Sequence, residues 1–308
     1  MLKYIVKRLI MFIPVVLGVA LVIFVIMDFT PGDPARIILG EMATQEQIDA
    51  LTEEMGLNDP ILVRYARYIW NLLRGDFGTS YKSKLPVMQE IAARYPNTVL
   101  LAFASAFCSV LFALPLGIVA AVKQNSAFDT FSMIVALVGV SIPGFWLGLM
   151  MMLLFSLKLG WLPASGSGTI LHLIMPAVAL GFLHMASIAR TVRSSMLEVI
   201  RQDYIRTARS KGLPYGTVIR GHALKNALIP TVTVVGLQIG EMLGGAVLTE
   251  TVFAWPGVGR LMIQGIQGRD TPMVLGCLIT LAVSFSVVNL IVDLLYGFID
   301  PRLKSQFK

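Results

Sequence analysis

Residues Thr98–Val122 read TVLLAFASAFCSVLFALPLGIVAAV and contain no charged side chain. A helix of this length is long enough to cross the roughly 30 Å hydrocarbon core of a membrane. Backbone polar groups must bond to one another in lipid, so the run is predicted to be helical. Similar apolar runs occur elsewhere in the chain, at Leu9–Met27, Thr130–Leu157, Ile170–Ala189, Ile229–Thr249 and Thr271–Val292. The sequence therefore predicts an all-α polytopic membrane protein with six transmembrane helices.

The composition of the whole chain agrees with this class of protein. Hydrophobic residues make up 56% of the sequence and charged residues only 14%, whereas soluble domains are about a quarter charged. The net charge of +7 could suit a nucleic-acid partner, but the cations lie beside the apolar runs rather than on one soluble face. Nucleic-acid binding is therefore not expected, and the lipid bilayer is the expected environment.

Basic residues beside the runs predict the orientation of the chain. Lys3, Lys7 and Arg8 precede the first run, and basic residues concentrate on the cytoplasmic side of membrane proteins. Six crossings then return the C-terminus to the cytoplasm. The segment Arg190–Pro230, with eight Lys or Arg against two acids, lies on the same side. The predicted divisions are residues 1–28 with the first span, an external segment 29–97, and a core 98–308 with the other five spans.

The basic segment, residues 190–230, is predicted to form two helices joined by a sharp turn, and we call it the elbow. Apolar residues at helical spacing give the first helix one packed face, at Leu197, Ile200, Tyr204 and Ala208. Gly212 tolerates the left-handed conformation that ends a helix, and Pro214 cannot continue the helix. A second short helix is expected from about Tyr215 to Ala227, before Pro230 begins the fifth span. The alternative is an inert basic loop held on anionic lipid headgroups.

The external segment is predicted to contain two short amphipathic helices. Thr44 and Gln47 form a capping-box pattern, and an apolar face then precedes Gly56, at Ile48, Leu51 and Met55. A second helix follows Pro60 and stops at Gly75, with its apolar face at Leu62, Tyr65, Ile69 and Leu72. The segment is either a structural cap or a docking surface for an external partner.

Glu241 lies inside the fifth predicted span, where an ionised carboxylate is costly and usually faces a cavity or a partner. Around it, Gly236, Gly240 and Gly244 repeat every four residues, and such small residues let another helix approach closely. Two interpretations stay open: a translocation path between packed helices, or a glutamate bonded at a helix interface. His184 in the fourth run is expected to have a packing or interface role.

Sequence patterns that carry enzymatic chemistry are missing. The chain contains no Gly-x-x-x-x-Gly-Lys-[Ser/Thr] phosphate loop, no His-Glu-x-x-His, no Cys-x-x-Cys and no Gly-x-Ser-x-Gly. Cys108 and Cys277 lie in apolar runs and are expected to be small buried hydrophobic residues. The chain is therefore not expected to be an enzyme, to hold a metal or to bind ATP by a phosphate loop.

The elbow resembles the cytoplasmic coupling loop of ABC importer permeases, often called the EAA loop. Gly212 matches the glycine of that loop, and Arg206-Thr-Ala208 take the place of Glu-Ala-Ala. The chain is also similar, through almost its whole length, to the B-type permeases of dipeptide, oligopeptide, nickel and glutathione importers. The segments that carry this similarity are Pro31-Gly-Asp-Pro34, Gly75-Asp-Phe-Gly-Thr-Ser80, Arg94-Tyr-Pro-Asn-Thr98, Arg193-Ser-Ser-Met-Leu-Glu198, Thr249-Glu-Thr-Val-Phe253, Trp255-Pro-Gly-Val-Gly259 and Asp300-Pro-Arg302.

This resemblance implies a permease subunit of an importer for peptides or similar small solutes in a bacterial or archaeal cytoplasmic membrane. The implied partners are a second homologous permease in a heterodimer, two ABC ATPase subunits that bind ATP and Mg, and an extracytoplasmic substrate-binding protein. No cofactor is expected on this chain. Contact with the ATPase is implied for the coupling-loop residues Asp203, Tyr204, Arg206, Thr207, Ala208, Lys211, Gly212, Leu213 and Pro214. The alternative is a self-sufficient proton-coupled secondary transporter with proton sites at Glu241 and Asp293.

Overall fold

The computed structural model describes residues 2–29, 34–40 and 42–299, and this part of the chain is almost entirely helical. Within these ranges the extended pairing is limited to an isolated bridge between Thr79 and Pro86. The helices in chain order are α1 (Leu2–Phe29), α2 (Pro34–Leu39), α3 (Gln45–Glu54), α4 (Ile61–Leu73), α5 (Val87–Val122), α6 (Ala127–Ser141), α7 (Gly144–Met151), α8 (Ile170–Ile200), α9 (Asp203–Ser210), α10 (Tyr215–Thr217), α11 (Leu224–Gly245), α12 (Val247–Val252), α13 (Val258–Gln267) and α14 (Thr271–Ile299). Two π-helical stretches add to them, Met152–Lys158 after α7 and Val218–Ala223 between α10 and α11.

Long apolar helices account for most of the described chain. Five of them are long and apolar enough to cross a membrane: Ile10–Phe29, Val87–Val122, Ile170–Ile200, Tyr215–Gly244 and Thr271–Leu295. A sixth is reached when the bent pair Ala127–Gly139 and Gly144–Lys158 counts as one span. The predicted all-α polytopic membrane fold is therefore confirmed.

The third predicted span, Thr130–Leu157, is helical but sharply bent. The two halves of this region are bent by 98° relative to each other. Ile142 between them has an extended backbone, with φ −86° and ψ 123°. The cause is Pro143, because a proline ring disfavours the helical conformation of the residue before it.

The chain packs as two compact units. The first contains Val99–Trp255 and residues 285–299, and the second contains Leu2–Thr98 and Pro256–Ser284. Residues 256–284 therefore share a compact unit with the external segment that the sequence delimits at 29–97.

In the first unit, α8 packs against α6, α7 and α11 and is closely approached by α5. A Cβ atom on Gly181 would lie 2.6 Å from the carbonyl oxygen of Ser105, which is too close for any side chain. The Ser109 hydroxyl donates a hydrogen bond of 2.6 Å to the carbonyl of Gly181. Small residues thus let two long helices touch, as is typical of membrane proteins.

In the second unit, the predicted capping box at the start of α3 is confirmed. The Thr44 N–H donates to Gln47 Oε1 at 3.0 Å, and the Gln47 N–H donates to Thr44 Oγ1 at 3.4 Å. Ile48 is buried, as its place on the predicted face requires.

The predicted face of α4 is only partly correct. Leu62 is 67% exposed, so it does not belong to the packed face. Tyr65 lies in the packed face as predicted, since its hydroxyl donates to the Leu17 carbonyl of α1 at 2.6 Å. Arg64, which is not in the predicted face, also contacts α1 by pairing with Asp28 at 2.5 Å. The packed face therefore includes Arg64 in addition to Tyr65, and it excludes Leu62.

Asp270 fixes the start of α14 in the second unit. Its buried carboxylate accepts hydrogen bonds from the Ser80 hydroxyl at 2.5 Å and from the Met273 N–H at 3.3 Å. A residue whose side chain accepts a hydrogen bond from the N–H of the third helical residue is an N-cap. One carboxylate thus ties the loop around residue 80 to the first turn of α14.

Candidate functional sites on the elbow and on α11

The turn of the elbow has the geometry that the sequence predicts. α9 ends at Ser210, and Gly212 follows with φ +79°, its N–H donating to the Arg209 carbonyl at 2.9 Å. A Cβ atom on Gly212 would meet nothing within 4 Å, so the need for glycine comes from the backbone conformation rather than from crowding. The next helix begins at Tyr215, directly after Pro214.

The helix before this turn is broken, and the predicted face Leu197, Ile200, Tyr204 and Ala208 is wrong at Tyr204. α8 ends at Ile200, and Gln202 is extended at φ −71° and ψ 150° before α9 begins. Because the helical phase restarts at Asp203, Ile205 is buried and Tyr204 is exposed.

Buried residues hold α9 against the helix that follows the turn. Ile205 and Ala208 belong to one apolar cluster with Val192 and Met196 of α8 and with Val218 at the start of the next helix. The Tyr204 hydroxyl adds a polar contact, since it accepts a hydrogen bond of 2.8 Å from the Asn226 side chain. α9 therefore packs against the π-helical stretch Val218–Ala223, which itself contacts α8, and does not form a loose loop.

The helix after the turn is longer than predicted. It does not stop near Ala227, since α10, the π-helical stretch and α11 follow one another up to Gly245, with Pro230 inside α11. Proline is tolerated inside membrane-spanning helices because neighbouring groups satisfy the freed backbone carbonyl. The second arm of the elbow and the fifth span are therefore continuous.

The residues at which the sequence predicts an ATPase contact fall into two groups. Ala208 is buried, whereas the others are exposed: Asp203, Tyr204, Arg206, Thr207, Lys211, Gly212, Leu213 and Pro214. Cations at Arg206, Arg209 and Lys211 lie on this exposed side, and the Arg209 guanidinium lies 4.9 Å from the centre of the Tyr215 ring. The elbow thus presents a basic rim with aromatic and apolar side chains in it.

The sequence did not predict an ion pair between the elbow and α6. Arg193 on α8 binds Asp129 on α6 through both carboxylate oxygens, at 2.6 and 2.8 Å. Asp129 is buried, and it also accepts a hydrogen bond of 3.0 Å from the Asn125 N–H. Ser126, three residues before Asp129, forms a helix-start pattern in the sequence. This pattern does not identify Arg193 as the partner of Asp129.

The glycines of the stripe on α11 lie in two different environments. A Cβ atom on Gly236 would lie 2.4 Å from Val292, and one on Gly240 would lie 3.2 Å from the Asn289 amide oxygen. Both glycines therefore permit close packing of α11 against α14. Gly244, in contrast, is exposed and would have nothing within 4 Å of a Cβ atom.

Glu241 lies on the exposed side of α11, beside α8. Its side chain is 62% exposed, and its Oε2 is 3.8 Å from Nδ1 of His184, which is 17% exposed. The separation is longer than a hydrogen bond. No sequence pattern connects His184 with Glu241. The packing of α8 against α11 nevertheless places the two side chains next to each other.

Comparison with known proteins gives matches along the whole chain. The family described as the binding-protein-dependent transport system inner membrane component matches residues 113–305, and the N-terminal part of such membrane components matches residues 1–102. The dipeptide transport system permease protein DppB of Alkalihalophilus pseudofirmus is 47% identical, covering 99% of this chain and all of that protein. The glutathione transport system permease protein GsiC of Salmonella typhimurium is 42% identical, with 99% of each chain covered.

Solved structures agree on the fold. A chain from inward-facing conformations of the MetNI methionine ABC transporter has a TM-score of 0.60 at 22% identity, covering 69% of this chain and 97% of that one. A chain from an amino acid ABC transporter has a TM-score of 0.52 at 16% identity, with 70% and 95% covered. At these identities the likeness is one of fold.

Proposed function

Because the chain belongs to the family of inner membrane components of binding-protein-dependent transport systems, we propose that it is the permease subunit of an ABC importer for di- or oligopeptides or similar small solutes. The observation that carries this proposal is the similarity to dipeptide and glutathione permeases over essentially the whole length of the chain. Family membership makes the chain a multi-pass inner-membrane protein. It also decides against a self-sufficient proton-coupled transporter, since the family depends on a separate binding protein.

The proposed orientation places both termini and the elbow in the cytoplasm. The basic residues in the first turns of α1 and the eight basic residues of the elbow support it, because such residues are retained on the cytoplasmic side. The segment 29–97 is then external, where it acts as a cap or as a docking surface.

ATP hydrolysis is proposed to occur on two ATPase subunits that bind ATP and Mg, while this chain binds no cofactor. The other proposed partners are a second homologous permease, with which it forms a heterodimer, and an extracytoplasmic substrate-binding protein. The matched family is named for its dependence on a binding protein, which supports the last of these.

The exposed rim of the elbow is the proposed contact with an ATPase, through Asp203, Tyr204, Arg206, Thr207, Lys211, Gly212, Leu213 and Pro214. Ala208 and Ile205 would transmit the movement of that contact, since α9 packs against the π-helical stretch Val218–Ala223, which in turn contacts α8. The second arm continues directly into α11, so a displaced elbow would move two membrane helices at once. This arrangement favours an elbow that transmits movement to the membrane helices over an inert loop bound to lipid headgroups.

The translocation path is proposed to run along the exposed side of α11, at Glu241 and Gly244. Gly236 and Gly240 have the other proposed role, close packing of α11 against α14. The translocation path is thus assigned to Glu241 and Gly244, and helix packing is assigned to Gly236 and Gly240.

Reconstitution tests the proposal. The chain, its second permease and its ATPases are placed in proteoliposomes with the binding protein, and uptake of a labelled dipeptide is measured. Uptake should require ATP and the binding protein together. Uptake by this chain alone, driven by a pH gradient and indifferent to ATP, would contradict the proposal.

A further inference from the structure

The side chains that the first unit leaves exposed along α11 form one continuous stripe. Leu237, Glu241 and Gly244 follow at helical spacing, and Leu248 continues the stripe on α12. The two leucines are 41% and 61% exposed, and the Glu241 side chain is 62% exposed. A carboxylate therefore stands between apolar side chains on an open face.

This carboxylate lies about one turn before the end of a long apolar helix. Glu241 is three residues before Gly244, the end of the apolar span Tyr215–Gly244, or about 4.5 Å along the helix axis at 1.5 Å per residue. Acidic side chains within membrane-spanning helices are costly against lipid and usually face an aqueous cavity or a partner instead. The stripe around Glu241 is therefore expected to face away from acyl chains.

Within the described part of the chain, the Glu241 carboxylate accepts no hydrogen bond. His184 is its charged or polar neighbour across the helix pair, at 3.8 Å, and it leaves room for further donors. Three or more His, Cys, Asp or Glu side chains do not come together anywhere in the described residues, so the pair does not provide a metal site. A single carboxylate with one imidazole beside it suits an organic cation better than a metal ion, which needs more ligands.

We propose that Glu241, with His184 beside it, binds the side-chain ammonium group of a cationic peptide on its way across the membrane. This inference rests on the proposed import of peptides, whose lysine side chains are ammonium ions. An ammonium group that leaves water loses its hydration, and a carboxylate replaces it with a charge-assisted hydrogen bond. His184 is a positioning residue, because its ring limits the directions in which the carboxylate can turn.

The test compares cationic and anionic dipeptides in the complete reconstituted assembly, with the same binding protein throughout. Uptake of Lys-Ala and of Asp-Ala is measured for the unaltered chain and for Glu241→Gln, which removes the charge and keeps the shape. The ratio of Lys-Ala to Asp-Ala uptake should fall about tenfold or more, since hydrogen bonds to charged groups are the strong ones. Using ratios removes the preference of the binding protein, which is identical in both measurements.

Two further variants make the result specific. Glu241→Asp keeps the charge and should restore most of the ratio, whereas Leu237→Ala changes the same face without a charge and should leave the ratio as it is. An unchanged ratio in Glu241→Gln, with both peptides still imported, overturns the inference while leaving the proposed function intact. Loss of co-purification with the second permease in Glu241→Gln also overturns it, because the carboxylate would then pair with that subunit. Absence of peptide uptake by the unaltered assembly overturns the proposed function itself.

Discussion

Replacing Gly212 with valine tests whether the elbow must keep its left-handed turn in order to transmit movement. Gly212 has φ +79°, a conformation that costs a residue with a Cβ about 1–2 kcal/mol and a β-branched residue more. No atom lies within 4 Å of the position that a Cβ would occupy, so crowding adds nothing to this cost. A cost of about 2 kcal/mol lowers the population of the present turn, relative to other conformations of the same segment, by a factor of about thirty.

The assay is the number of dipeptides imported per ATP hydrolysed in proteoliposomes that hold the complete assembly. Gly212→Val should lower this number several-fold, because the rim that meets the ATPase is no longer held at a fixed angle to α8. Gly212→Asn should keep most of the coupling, since asparagine tolerates the left-handed region.

Gly216→Val is the matched control. Gly216 also has open space around its Cβ position, but it lies in α10 without a positive φ. Unchanged coupling in Gly212→Val refutes the reasoning, and so does an equal loss in both valine variants, which would show that bulk rather than backbone conformation matters.

Three other predictions concern contacts within each unit. Asp129→Asn should lower the free energy of unfolding in detergent by about 2 kcal/mol, because it leaves the partly buried Arg193 without its charge partner; Asp129→Glu should lose less. Gly236→Ala should cost about 1–3 kcal/mol, since its Cβ would meet Val292 at 2.4 Å, and adding Val292→Ala should recover part of the loss in the same unfolding measurement. Asp270→Ala removes the N-cap of α14 and the partner of a buried hydroxyl, so amide hydrogen exchange in the first turn of α14 should accelerate at least tenfold, and unaltered exchange would contradict the capping role.

The sequence predicted the apolar spans well because a membrane imposes a length and a composition on each crossing helix. It could not locate the break in the third region. Pro143 disrupts its helix, whereas Pro176 and Pro230 lie inside helices that continue past them. Whether a proline ends a membrane helix depends on which neighbours satisfy the freed backbone groups, and those neighbours are distant in the sequence.

The turn of the elbow was predictable because Gly212 and Pro214 act locally on the backbone. Its packed face was not, since one extended residue at Gln202 shifted the helical phase and moved burial from Tyr204 to Ile205. A periodicity argument assumes an unbroken helix, and a single non-helical residue invalidates it.

Pairs between distant residues lay beyond the sequence altogether. Arg193 and Asp129 are 64 residues apart, and no spacing rule joins them. His184 and Glu241 were each noticed, yet only the packing of α8 against α11 brings them together. Local patterns predict helices and turns, whereas partners across helices follow from packing.

The central claim is that the elbow of this chain contacts an ATPase, and site-specific photo-crosslinking in the purified assembly tests it most directly. One photoreactive residue is introduced in place of Leu213 on the elbow rim, and another in place of Leu237 on α11, positions that are 37% and 41% exposed. We predict that the label at Leu213 captures the ATPase subunit and that the label at Leu237 does not. Failure of the Leu213 label to capture the ATPase, or equal capture from both positions, would contradict the account.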